Sequence, residues 1–78
     1  MAVVVFDVPG VRYWSDRDRV ERALLDLGAQ PEVDVLAPEH RVIVRYDPRR
    51  VTAAELAARL VGAGYPPASM AVEGEAVR

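Results

Sequence analysis

The first segment, Ala2-Val3-Val4-Val5-Phe6-Asp7-Val8, does most to limit the fold. It is apolar except for Asp7 and rich in β-branched residues, and Pro9-Gly10 stops it with a turn signal. Alternate residues of a strand point to opposite faces, and here both faces are apolar. A strand of that kind sits inside a sheet with neighbours on both sides. The remaining chain, within 78 residues in all, must supply those neighbours and a cover for the sheet. One small domain spanning residues 1–78 is expected.

The next segments meet that demand. Val11 to Trp14 reads as loop, and Ser15 or Asp16 then caps a helix, with Asp18 in its first turn. Val20, Ala23, Leu24 and Leu27 recur at helical spacing, and Gly28 closes the helix. Pro31 to Leu36 and Arg41 to Tyr46 alternate as strands around the turn Ala37-Pro38-Glu39-His40. Thr52 and Glu55 form a capping-box pattern ahead of an apolar stripe at Leu56, Ala57, Leu60 and Val61. Gly62 and Gly64 end that helix, Pro66-Pro67 forbid its continuation, and Ser69 to Val77 reads as a last strand. The order is β-α-β-β-α-β. The fold class is α+β, ferredoxin-like: a four-stranded antiparallel sheet with two helices on one face. The expected core is Val3, Val5, Val20, Ala23, Leu24, Leu27, Val33, Val35, Val42, Val44, Leu56, Leu60 and Met70.

Charge and composition narrow the function. The net charge is −2 and acids are interspersed with arginines, so no nucleic-acid partner is implied. The ten basic residues are all arginine. With no cysteine there is neither a disulfide framework nor a thiolate metal site. The first apolar run is too short for a signal-peptide core or a membrane span, so a cytoplasmic location without direct membrane contact is expected. No Ser-His-Asp set, glycine-rich phosphate loop or carboxylate pair stands out, and the single histidine limits general-base chemistry. An acylphosphatase of the same topology would use a backbone nest and an arginine. Arg12 lies in the right loop, but the rest of that pattern is missing. The expectation is a protein that is not an enzyme.

The stretch from Gly10 to Leu24 resembles the metal-binding loop and first helix of heavy-metal-associated, copper-chaperone-like domains. That family reads Gly-Met-x-Cys-x-x-Cys-x-x-x-Val-Glu-x-Ala-Leu. Gly10, Val20, Glu21, Ala23 and Leu24 match it without a gap. Val33-Asp34-Val35, the run from Arg41 to Pro48, Thr52 to Leu60 and Ala63-Gly64-Tyr65 resemble its later elements. The family's paired cysteines hold copper(I), zinc or related soft ions. They deliver them to a membrane transporter or sit on the N-terminal tail of a P-type ATPase. Here Tyr13 and Asp16 stand at the cysteine places, and Val11 replaces the usual methionine. A phenol is protonated at neutral pH, and a carboxylate is a hard ligand, so the soft-ligand set is gone.

What the resemblance implies is a degenerate domain of a metal-transport system, a metallochaperone-like protein or an ATPase N-terminal domain. It would act as a protein-interaction or regulatory module with no cofactor. Its partner would be a metal-transporting ATPase or a domain of the same chain. Arg12, Tyr13, Trp14, Asp16 and Tyr65 would form the contact surface. Each has a plainer alternative: Asp16 as a helix cap, Tyr13 and Trp14 packed on the sheet end, Tyr65 packed under the loop. A different reading takes Asp16, His40 and Glu39, with Tyr13 nearby, as a rebuilt site for a divalent metal such as zinc. Against it, a lone turn histidine is ordinarily solvated.

Overall fold

The β-branched first segment forms strand β1, Ala2–Asp7, in the middle of a four-stranded antiparallel sheet of order β2-β3-β1-β4. The computed structural model describes residues 1–28 and 31–73. The other elements are helix α1 (Trp14–Leu25), β2 (Glu32–Leu36), β3 (Arg41–Tyr46), α2 (Ala53–Gly62) and β4 (Ser69–Glu73). A single 3-10 turn, Ala37–Glu39, joins β2 to β3. This is the ferredoxin-like βαββαβ order. The part of the expected last strand that reaches Val77 lies outside the described residues.

Register decides which residues are buried. Val33, Val44, Val4 and Val72 form one row across the sheet, and Val35, Val42, Phe6 and Met70 form the next. Along these rows Val4, Phe6, Val42 and Val44 are fully buried and join one apolar cluster with Val20 and Leu24 of α1 and Leu56 and Leu60 of α2. The expectation for β1 is thus corrected: Ala2, Val4, Phe6 and Val8 face the core, while Val3 and Val5 lie on the open face and are half-buried. A run apolar on both faces carries no parity signal. The helices decide which face they cover, and they cover the one holding the larger Phe6. Met70 is corrected too. It shares the covered face, but β4 is an edge strand beyond the helices' reach, and Met70 is 47% exposed. Ala23, Leu27 and Val33 are half-buried rather than central, with Leu27 and Val33 packed against the cluster.

The second helix starts as its sequence dictates. The Thr52 hydroxyl accepts the Glu55 N–H at 3.1 Å, and the Glu55 carboxylate accepts the Thr52 N–H at 3.2 Å. Gly64, at φ +89°, takes the left-handed turn after α2 that lets Tyr65 N–H bond back to the Leu60 carbonyl at 2.8 Å. At the far end from this corner, Asp47 accepts the Arg49 N–H at 3.0 Å, the turn role read from Asp47-Pro48.

Burial on the two faces of β1 makes a direct comparison. Phe6→Ala should lower unfolding free energy by about 3–5 kcal/mol, whereas Val5→Ala should cost less than about 1 kcal/mol. Urea unfolding followed by far-UV circular dichroism checks both. Equal losses would mean that the register is wrong.

Candidate functional site

The β1–α1 loop, the β2–β3 turn and the α2–β4 corner come together at one end of the sheet. Two side chains hold them there. His40 carries the only positive φ among the described non-glycine residues, +57°, as it closes the 3-10 turn. Its backbone carbonyl accepts the Val8 N–H at 2.7 Å, and its Nδ1–H donates to the Val11 carbonyl at 2.8 Å. That bond places the ring proton on Nδ1. The histidine therefore staples the turn to the loop. Val11, fully buried, anchors the loop from below.

Asp16 provides the second tie. Its Oδ2 accepts the backbone N–H groups of Arg12 and Tyr13, both at 3.0 Å, and its Oδ1 accepts the Tyr65 hydroxyl at 2.6 Å. One carboxylate thus joins the loop, the first turn of α1 and the corner after α2. The expected cap is corrected in detail. Tyr13 occupies the N-cap position and Trp14 is the first helical residue, while Asp16 reaches back from the third helical position to the cap N–H. A bulky aromatic at the cap hides this from residue preferences, which favour Ser15 or Asp16. Tyr65 is buried beneath the loop, its ring 3.4 Å from where a side chain on Gly10 would begin.

These bonds set the protonation behaviour. The Tyr65 hydroxyl, then the Arg12 N–H, hold the Asp16 carboxyl below its ordinary range. Burial, followed by the bond to Asp16, pushes the Tyr65 phenol above its ordinary value of 10.0.

The rings of Tyr13 and Trp14 stand outside this tied core, 69% and 75% exposed. Neither folds back onto the sheet end. The Arg17 guanidinium lies 5.2 Å from the centre of the Trp14 ring and bonds Glu21 through Nε at 3.2 Å. Between these groups and the segment from Val35 to Pro38 runs a groove of about 430 Å³. Nothing in the sequence pattern alone signals that groove. It appears only when the turn Ala37–Glu39 is placed beside the start of α1.

The residues present do not fit a soft metal ion. Asp16 spends both oxygens on protein donors, and Tyr13 points into solvent. The harder site read from Asp16, His40 and Glu39 is not assembled. No three His, Cys, Asp or Glu side chains cluster as metal ligands among the described residues.

The pH dependence follows from the two shifts. Asp16 has a lowered folded pKa, so its contribution is full above the ordinary carboxylate range and is lost as pH falls through the folded value. Tyr65 has a raised folded pKa, so its contribution is full below about pH 10 and is lost as pH rises through the folded value. Thermal melts should show Asp16→Asn flattening the acid limb and Tyr65→Phe flattening the alkaline limb. An unchanged acid limb in Asp16→Asn would refute the tie.

No protein-family profile matches the sequence, and no match is found among curated proteins. Solved structures do match. A copper-binding domain from HMA7, a P-type ATPase, superposes with a TM-score of 0.84 at 22% identity, over 95% of this chain and 99% of that one. Oxidized MerP from Ralstonia metallidurans CH34 gives 0.76 at 24% identity, over 87% and 93%. The N-terminal domain of ZntA in its Zn(II) form gives 0.71 at 23% identity, over 99% and 97%. The chain thus shares the fold of these heavy-metal-binding domains, and its sequence contains no cysteine.

Proposed function

We propose that this domain serves a metal-transport system as a protein-docking or regulatory module that carries no thiolate-bound metal. The observation that supports it most is the Asp16 carboxylate. At the place of the family's second cysteine it closes the loop with the protein's own donors, at 2.6–3.0 Å. A loop held this way needs no ion to keep its shape. Beside it Tyr13 and Trp14 stay exposed, and aromatic rings on a fixed loop are strong anchors for a partner. The partner class is a metal-transporting ATPase or a further domain of the same polypeptide. The contact surface is Arg12, Tyr13 and Trp14, with Asp16 and Tyr65 setting the shape of the loop that carries them. No described helix is long and apolar enough to cross a membrane.

Two measurements test the reading. Titrating copper(I) and zinc into the protein should leave the amide signals of residues 11–16 unmoved. The double variant Tyr13→Cys/Asp16→Cys should gain copper(I) binding at about one ion per chain. Saturable, loop-centred shifts in the unaltered protein would contradict the proposal. Separately, Trp14→Ala should weaken binding to the soluble metal-binding region of a heavy-metal P-type ATPase by about tenfold or more, with the fold unchanged. Undiminished binding would remove Trp14 from the surface.

A further inference from the structure

We infer that the groove beside Trp14 receives an extended acidic segment of the partner, with apolar side chains set between carboxylates. The inference rests on the docking role above and names the chemistry of what docks. One wall of the groove carries Trp14 with Arg12 and Arg17, and the other carries Val35, Leu36 and Pro38. Its volume, about 430 Å³, lies in the range of pockets that enclose side chains or small ligands, roughly 300–1,000 Å³.

Charge selects the occupant. Among the described residues, the only charged groups lining the groove are the two arginines, in a chain whose net charge is −2. Arg12 is exposed, and its guanidinium has no partner among the described residues. Arg17 gives Nε to Glu21 and lies 5.2 Å from the centre of the Trp14 ring, two contacts that restrain its guanidinium along the groove wall. A guanidinium next to apolar walls pairs with carboxylates in two-pronged geometry, and the low local polarity strengthens the pair. A basic segment would meet like charge at both positions. Nucleic acid would meet only two cations on an acidic chain, far fewer than a phosphate backbone needs.

The backbone explains why the segment should be extended. Strand β2 is an edge of the sheet, paired among the described residues only with β3. Two of its residues, Val35 and Leu36, line the groove. An extended chain laid there gains main-chain hydrogen bonds while alternate side chains enter the groove. Trp14, 75% exposed, would close over them.

Trp14 is the only tryptophan, so its fluorescence reports the groove directly. The probe is a synthetic peptide of about nine residues in which leucines alternate with glutamates. The control replaces each glutamate by lysine. The acidic peptide should shift Trp14 emission to the blue, saturably, and move amides of residues 12–17 and 33–38, with the lysine peptide about tenfold weaker or worse. Arg12→Glu/Arg17→Glu, checked for an unchanged amide spectrum, should reverse the preference, and Arg12→Glu alone should reduce it. Equal binding of both peptides, or no saturable change at millimolar peptide, would overturn the inference. So would a blue shift that grows with protein concentration alone, which would mean that a second copy fills the groove. If the ATPase region moves the loop signals while the acidic peptide does not, the docking role stands and this inference falls. If neither binds, both fall.

Discussion

One carboxylate organises the end of this domain where three connections meet. Asp16 accepts two loop amides and one phenol, and each donor comes from a place that the sheet alone does not fix. Backbone amides at the start of a helix are poor in partners and carry the positive end of the helix dipole. A negative group placed there is stabilised, and it draws the loop toward itself. Tyr65 completes the arrangement from the opposite side of the chain, 49 residues away in sequence. In the metal-binding members of this fold family, an anionic thiolate pair and its ion are expected to order the same loop. Here the Asp16 carboxylate places a negative charge at that position, bonded to the protein's own donors.

That tie depends on the layers beneath it. Phe6, Val4, Val42 and Val44 bind the sheet to both helices, and Val8 and Val11 carry the apolar cluster up to the loop. His40 then closes the remaining gap, spending its backbone carbonyl on Val8 and its ring on Val11. With the loop pinned from below by Val11, from one side by His40 and from the other by Tyr65, Tyr13 and Trp14 have nowhere to pack except outward. Their exposure is a consequence of how tightly the rest is held. It also leaves the Arg17 guanidinium a ring to stack against, beside a groove whose far wall is the edge strand β2.

Much of this was readable in the residues. The capping pair Thr52 and Glu55, the stripe at Leu56 and Leu60, and the alternation of Val42, Val44 and Tyr46 each fix a local structure, and together they specify the βαββαβ order. The face of β1 was not readable, because Val3, Val4, Val5 and Phe6 satisfy either parity. Only packing against α1 and α2 chooses between them. The meeting of loop, turn and corner follows from topology, which brings Asp16, His40 and Tyr65 to one end of the sheet. Their use was not readable. A histidine in a turn and an aspartate near a helix start look the same in sequence whether they face water, a metal or a backbone amide. The left-handed conformation of His40 and the two-sided engagement of Asp16 are set by distances between segments far apart in the chain. The groove is illegible in the sequence for the same reason, since its walls, Arg12 to Arg17 and Val35 to Pro38, are joined only in three dimensions.

The central claim is that the loop is closed by the protein's own carboxylate and not by an ion. Hydrogen exchange at the Arg12 and Tyr13 amides, in protein stripped of metal with a chelator, tests it most directly. The account predicts that both amides are protected in the metal-free protein and that Asp16→Ala releases them while leaving exchange in β1 and β3 unchanged. Amides that exchange freely without metal, and become protected only when copper(I) or zinc is added, would contradict it.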